Sequence, residues 1–220
     1  NRVAQTTREY FIDIYPVKGL IISGPGPTKE DFINGNYLEY RLQNNIINTI
    51  DASYSGAEGI REAFAKSGDI LGNFRLVEEK KLVEDLFREI NTNTGKGSYG
   101  LEEVIEFLKN NVVQILLITD NTNLHRVEAE CKRCKKIQED IVERQLVIPK
   151  KTEYKNNPCP DCKAMDMEVN EQDIVDYLQI LAAKTGTQLE VISGSAEHGN
   201  MLSSLGKIGA ILRYNPGHTK

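Results

Sequence analysis

The 220-residue chain lacks tryptophan and contains only four cysteines and three histidines. No apolar run approaches the roughly 20 residues that a membrane-spanning helix needs, and no secretory signal is visible. A net charge of −5 argues against a protein that coats nucleic acid without selectivity. The composition, 40% hydrophobic, therefore predicts a cytoplasmic globular protein with one or two domains.

All four cysteines lie in two C-x-x-C pairs, Cys131–Cys134 and Cys159–Cys162. Two thiolates at this spacing fit one edge of a metal tetrahedron, and a second pair completes it. Zinc suits four sulfur ligands and brings no redox chemistry, so we expect one structural Zn²⁺. The alternative is two disulfides or four unrelated thiols, which a chain without signs of secretion disfavours.

The residues around the cysteine pairs give two further expectations. Residues 135–158 leave room for a β-hairpin between the pairs, and neither pair contains the glycine that commonly eases such turns. Lysines and an arginine cluster nearby, which is typical of a solvated rim but also allows a local RNA patch. They are Lys132, Arg133, Lys135, Lys136, Lys150, Lys151 and Lys155.

The hydrophobic pattern predicts an α/β protein with two layered domains, 1–73 and 74–220. In the first domain we expect a helix over 2–14, a strand over 19–23, a helix beginning with a capping box at Thr28 and Asp31, a helix near 37–45, a strand over 46–51 and a helix over 57–66. Residues 67–75 contain two glycines between helical patterns and are interpreted as the boundary between the domains.

In the second domain, a helix with apolar residues at 82, 83, 86, 87 and 90 precedes a helix from about 101 to 108 and a buried strand over 112–118. The α/β order then stops at about 125–165, which we interpret as an inserted metal module containing one strand, 145–148. It resumes with a helix capped by Asn170 and ended by Gly186, a strand over 189–193, a helix near 196–205 and a strand over 208–214.

No catalytic constellation stands out, so we do not expect an enzyme. The loop Gly24–Pro27 follows a strand, but it lacks the Gly-Lys-Ser/Thr ending of a phosphate-binding loop. Asp51 with Asp31 or Glu58 is a weak candidate for a magnesium-dependent nuclease site. Of the histidines, His125 is a minor candidate ligand, His198 is expected at the surface or at a helix cap, and His218 lies in the tail.

Several stretches, read in order, resemble the archaeal and eukaryotic class 1 peptide chain release factors. They span nearly the whole chain: Lys18–Phe32, Tyr40–Gln43, Asp51–Gly59, Glu78–Val83, Thr94–Lys96 and Ile208–Tyr214. The resemblance implies a piece comprising the later part of the middle domain and the whole C-terminal domain. It further implies for the C-terminal domain the α/β/α fold of kink-turn-binding ribosomal proteins, with a zinc-ribbon-like minidomain held by Cys131, Cys134, Cys159 and Cys162.

This resemblance also implies a role in translation termination, where stop-codon recognition is coupled to peptidyl-tRNA hydrolysis. The family's catalytic Gly-Gly-Gln loop does not occur in these residues, so the expected role is docking to the ribosome, to a translational GTPase similar to elongation factor 1-alpha, and to a ribosome-recycling ATPase. Phe87, Arg213 and Tyr214 are the candidate GTPase contacts. A Pelota-type ribosome-rescue factor and a stand-alone RNA-binding module remain the alternatives.

Overall fold

A computed structural model of the protein describes residues 2–92 and 94–217, and the chain divides into two compact units, Asn1–Glu78 and Glu79–Lys220. The first unit is built on two parallel strands, β1 (Leu20–Gly24) and β2 (Ile46–Asp51). Its helices are α1 (Arg2–Arg8), which continues into a π-helical turn (Glu9–Ile14), α2 (Thr28–Asn34), α3 (Tyr40–Asn44) and α4 (Gly56–Lys66).

Two details of this unit differ from expectation. The capping box is wrong, because Thr28 is the first helical residue and Pro27 occupies the cap without a side-chain hydrogen bond. Proline suits this end of a helix, where an N–H would have no intrahelical partner. The helix expected near 37–45 is confined to α3, in which Leu42 is the buried residue.

The segment interpreted as the domain boundary, 67–75, is helical, because helix α5 runs without a break over Gly68–Asn91. Ile70 and Phe74 lie four residues apart and are half-buried, whereas Gly72 faces open space. A glycine in an exposed helical position costs only about 1 kcal/mol, so the continuing apolar face outweighs it.

The second unit contains a four-stranded sheet in the order β3-β9-β4-β8. The strands are β3 (Gly97–Tyr99), β4 (Val113–Thr119), β8 (Gln188–Ile192) and β9 (Ile208–Leu212); β4 is parallel to β8 and antiparallel to β9. The helices of this layer are α6 (Leu101–Lys109), α8 (Ile174–Thr185) and α9 (Glu197–Ser204). Strand β3 was not expected, since three residues are too few for a periodic signal.

Both faces of this sheet are covered, as alternate residues of β4 show. Leu116 and Ile118 pack in one apolar cluster with residues of α6 and α8, whereas Leu117 packs in another with residues of α5 and α9. A strand buried on both faces reads as a continuous apolar run, which is why this strand was predicted correctly. The fold is therefore a mixed α/β arrangement with helices on either side of a sheet.

A second, three-stranded antiparallel sheet is inserted between β4 and α8, in the order β6-β5-β7. Its strands are β5 (Leu124–Cys131), β6 (Ile137–Glu143) and β7 (Met167–Asp173). We call residues 124–173 the cysteine module, which is wider than the 125–165 expected. Asn170 lies in β7, and the cap of α8 is Asp173, whose side chain accepts a hydrogen bond from the Val175 amide at 2.8 Å.

The connection between the two cysteine pairs contains a helix where a strand was expected. After β6 and a 3-10 turn (Arg144–Leu146), α7 extends over Val147–Asn156. Val147 and Tyr154, two helical turns apart, are both buried on the inserted sheet. A four-residue apolar run does not distinguish helix from strand, so the spacing to Tyr154 was the informative signal.

Candidate metal centre

The first cysteine pair forms the turn of the β5–β6 hairpin. The Cys131 amide donates to the Lys136 carbonyl at 2.9 Å, and the Lys135 amide donates to the Cys131 carbonyl at 2.8 Å. These bonds close a tight loop in which both thiols project to the same side. Strand pairing therefore positions Cys131, the last residue of β5.

The second pair repeats this geometry in the segment between α7 and β7. The Cys159 amide donates to the Ala164 carbonyl at 2.8 Å, and the Lys163 amide donates to the Cys159 carbonyl at 2.9 Å. In each pair the residue after the second cysteine is left-handed: Lys135 and Lys163 both have φ of 62°. This conformation normally favours glycine, which both pairs lack.

The four thiols converge, and their Sγ atoms all lie within 4.8 Å of one another. Two of the separations cross between the pairs, at 3.5 Å for Cys131–Cys162 and 3.5 Å for Cys134–Cys159. A disulfide would bring two sulfurs to about 2.05 Å, whereas tetrahedral zinc with bonds near 2.3 Å separates them by roughly 3.8 Å. The four cysteines can thus hold a metal ion.

Two of the four thiols are buried, and the other two are closer to solvent. Cys131 and Cys159 are fully buried in an apolar cluster with Val127, Ala129 and Met167, while Cys134 is exposed and Cys162 half-buried. Packing therefore fixes the two buried thiols, and the other two close the site toward solvent. Each C-x-x-C pair contributes one thiol of each kind.

The thiols differ in how readily they ionise. The Cys134 and Arg133 amides direct hydrogen bonds at the Cys131 sulfur and lower its pKa to about 7. The Lys136 amide lowers the pKa of Cys134, but partial desolvation and the three neighbouring thiols outweigh it and raise that pKa to about 12. Four thiols this close cannot all ionise by themselves, whereas a divalent cation favours the thiolate form of each.

The basic residues beside the pairs are largely engaged in ion pairs on the rim of the module. Lys132 lies 3.3 Å from Asp166, Lys135 3.0 Å from Glu130, and Lys136 3.7 Å from Asp161. The rim is therefore mixed in charge. These contacts favour the solvated-rim interpretation over a dedicated RNA patch.

The candidate partner contacts have different environments. Phe87 is half-buried against the cluster of α5, β4 and α9. The Arg213 guanidinium donates to three carbonyls, those of Val113 at 3.0 Å, Thr185 at 2.9 Å and Gly186 at 3.0 Å. Tyr214, in contrast, is 53% exposed.

His198 is buried, so its expected surface position is wrong. Its Nε2 lies 3.1 Å from the Glu79 carboxylate, which also accepts a hydrogen bond from the Ser193 amide at 2.8 Å. This link could not be predicted from the sequence, because 119 positions separate the two residues along the chain. His125 lies on β5 and is outside the cysteine group, and His218 lies outside the described residues.

The loop Gly24–Pro27 and Asp51 are held together by a buried lysine. Lys29 Nζ donates to the Asp51 carboxylate at 2.5 Å and to the Gly26 carbonyl at 2.8 Å. The hydrogen bond from Lys29 lowers the pKa of Asp51, and Asp51 raises that of Lys29. Within residues 2–92 and 94–217, the four cysteines are the one group of three or more metal-ligating side chains found together.

Two models of known protein domains match this chain. The family model for eRF1 domain 2 matches residues 1–73, and the model for eRF1 domain 3 matches residues 76–216. The chain belongs to the eRF1 family. This confirms the family resemblance predicted from the sequence.

The matching proteins include peptide chain release factor subunit 1 of Thermococcus onnurineus, 35% identical over 97% of this chain and 52% of that protein. The chain thus spans about half the length of this relative. The C-terminal domain of a release factor from Methanosarcina mazei is 29% identical, with a TM-score of 0.62 over 75% of this chain and 99% of that one. A structure of ribosome-bound archaeal Pelota with ABCE1, 24% identical over 97% of this chain and 48% of that one, has a TM-score of 0.58, which shows a shared fold.

In the part of the chain that the structure describes, no helix has the length and apolar character required to cross a bilayer.

Proposed function

We propose that this chain acts in translation termination, as the part of a class 1 release factor that docks to the ribosome and to its protein partners. The observation that carries the proposal is the order and extent of the match: two release-factor domains over 1–73 and 76–216. In this proposal, 1–73 is the remainder of the middle domain and 74–220 is the partner-binding domain. No catalytic residue is assigned to this chain, and hydrolysis requires the Gly-Gly-Gln loop, which is not in its sequence.

The proposed partners are the ribosome, a GTPase similar to elongation factor 1-alpha, and a recycling ATPase. Their support is by analogy of fold: the Pelota structure is ribosome-bound and contains ABCE1, and yeast Dom34, with a TM-score of 0.51 and 16% identity, is described as interacting with Hbs1. We place the GTPase contact near Phe87 and the Arg213–Tyr214 end of the domain. Exposed Tyr214 is the side chain best available to a partner.

For the cysteine module we propose one structural zinc ion bound by Cys131, Cys134, Cys159 and Cys162. The convergence of the four Sγ atoms within 4.8 Å supports this, as does the preference of zinc for a closed set of sulfur ligands. When bound, the ion would link the β5–β6 turn to the segment before β7, and would contribute folding free energy to the module. It has no catalytic role in this proposal.

The test of the docking role is a titration of the chain with the archaeal elongation-factor-1-alpha-type GTPase, in the presence of a GTP analogue and of GDP. Binding at micromolar concentration or tighter that prefers the GTP form is expected. Tyr214→Ala should weaken it, whereas Tyr99→Ala, a change at a similarly exposed tyrosine on β3, is the matched control. Absence of binding, or binding insensitive to the nucleotide, would count against the assignment of GTPase docking to these residues.

A further inference from the structure

A groove of 570 Å³ lies between the cysteine module and helix α8, in the second unit. Its volume falls in the range of natural ligand sites. Side chains of the inserted sheet and of α8 line this groove, together with Lys109 of α6. The lining residues are Lys109, Arg126, Glu128, Ile137, Glu139, Gln172, Tyr177, Ile180, Leu181 and Lys184.

The walls of this groove expose apolar side chains that the fold does not use. Ile137 on β6 is 51% exposed and Ile180 on α8 is 48% exposed, and both line the same groove. The Tyr177 ring, which also lines the groove, is covered by the Arg126 guanidinium, 4.6 Å from its centroid. Single exposed apolar residues are ordinary, but two that face one concave space favour an apolar side chain as occupant.

The acidic residues of the groove are already neutralised. Glu139 accepts hydrogen bonds from Arg126 at 2.7 Å and from Lys109 at 2.9 Å, and Glu128 also pairs with Arg126. The network holds the groove in shape, because it joins β5, β6 and α6. It leaves both carboxylates without a free charge to offer a ligand.

The unused polar groups of the groove are Lys184 and Gln172. Within residues 2–92 and 94–217, the Lys184 ammonium forms no ion pair and the Gln172 side chain forms no hydrogen bond, while both line the groove. With three cations and two carboxylates in its lining, the groove has a net charge of +1 (3 − 2). The charge that remains available to a ligand is therefore positive and lies beside Ile180, one helical turn away on α8.

We propose that this groove binds a short peptide segment of a protein partner, in which a large apolar residue is flanked by Asp or Glu. The apolar residue would fill the space between Ile137 and Ile180, and the carboxylate would pair with Lys184. An RNA strand fits less well, because its charged phosphates make no favourable contact with the exposed apolar side chains of Ile137 and Ile180. The inference is independent of the release-factor role, since it uses only the lining of the groove.

The test begins with a displayed library of random eight-residue peptides, from which those that bind the 220-residue chain are selected. The most enriched peptide is then synthesised beside its Asn/Gln counterpart, and both affinities are measured by fluorescence anisotropy. Lys184→Gln and Ile180→Ala are each expected to weaken binding roughly tenfold, which corresponds to one lost contact. The Asn/Gln peptide should lose a similar factor.

The chain offers matched controls for both substitutions. Lys155 on α7 is exposed and lies outside the groove, and so does Ile148, which is 76% exposed. Lys155→Gln and Ile148→Ala should leave peptide affinity unchanged. Enrichment of peptides without acidic residues, equal losses in the control variants, or displacement of the peptide by an RNA decamer would overturn the proposal.

Discussion

Lys135 and Lys163 occupy equivalent positions, each following the second cysteine of its pair and each with φ of 62°. A side chain in this left-handed region costs roughly 1–2 kcal/mol relative to glycine. Each half of the proposed zinc site therefore contains a locally strained residue, which the loop hydrogen bonds and the metal would have to hold in place. The lysine ammonium groups are exposed and are not needed for that geometry.

Replacement of both lysines by glycine should stabilise the cysteine module. We expect Lys135→Gly and Lys163→Gly each to increase its resistance to unfolding by about 1 kcal/mol, because glycine adopts this conformation without a Cβ clash. The measurement is zinc retention against a competing chelator, followed at neutral pH. Lys155→Gly, in the regular helix α7, is the control and should destabilise the module by about 1 kcal/mol. Equal effects at all three positions would contradict the strain argument.

The proposed zinc site gives a second prediction, for the buried thiol of Cys159. Cys159→Ser should abolish binding of the proposed zinc ion and disorder the module, residues 124–173, while the four-stranded sheet stays folded, since that sheet has its own apolar clusters. Metal analysis and amide hydrogen exchange of the two regions measure these effects separately. If the variant kept one zinc per chain, or if β4 and β9 lost protection together with β5, the description of an independently metal-stabilised module would be wrong.

The sequence predicted the regular α/β elements well because their signals are local. The apolar run of β4 and the helix end at Gly186, which has φ of 61°, follow from side-chain patterning and glycine geometry. The convergence of the four cysteines was equally accessible, because C-x-x-C spacing brings pairs of thiols to one side of a turn. The burial of His198 and the groove beside Lys184 could not be predicted from the sequence, since both depend on which distant segments meet in the fold.

The pairing of Lys29 with Asp51 gives a prediction of pH dependence in the first unit. The hydrogen bond from Lys29 lowers the pKa of Asp51 below its ordinary 3.8, so the ionised carboxylate is favoured in the folded chain. The pairing with Lys29 therefore stabilises the folded chain fully above about pH 4, and this stabilisation is lost as the pH falls through the folded-state pKa of Asp51. The carboxyl carbon of Asp51, followed by NMR from pH 6 to 2, should titrate below that of a model peptide.

Asp51→Asn tests whether the charge of Asp51 is what stabilises the first unit. Asp51→Asn leaves the Lys29 ammonium, whose side chain is 6% exposed, without one of its carboxylates. The variant should expose amides of β1 and β2 to faster hydrogen exchange at pH 6, and the difference from the parent chain should shrink toward pH 2. Asp69→Asn, at an exposed position near the start of α5, is the control and should change neither quantity. A constant difference across this pH range would show that charge is not the cause.

The last prediction distinguishes a structural from a partner-binding role for the two neighbouring residues at the end of β9. Arg213 caps the C-terminus of α8 through the Thr185 and Gly186 carbonyls, so Arg213→Ala should lower the free energy of unfolding by about 1–3 kcal/mol. Arg213→Lys should recover part of this loss, because one ammonium cannot reach all three carbonyls in the geometry of the guanidinium fork. Tyr214→Ala should leave stability within about 0.5 kcal/mol, since more than half of the side chain is exposed.

Urea unfolding of the three variants, with GTPase affinity measured on the same samples, resolves the two roles. We expect the loss of affinity to be specific to Tyr214→Ala, while Arg213→Lys binds like the parent chain at temperatures where it is folded. If Arg213→Lys lost affinity without losing stability, the guanidinium would contact the partner directly in addition to capping α8. In that case the GTPase surface would extend from Tyr214 across the end of helix α8.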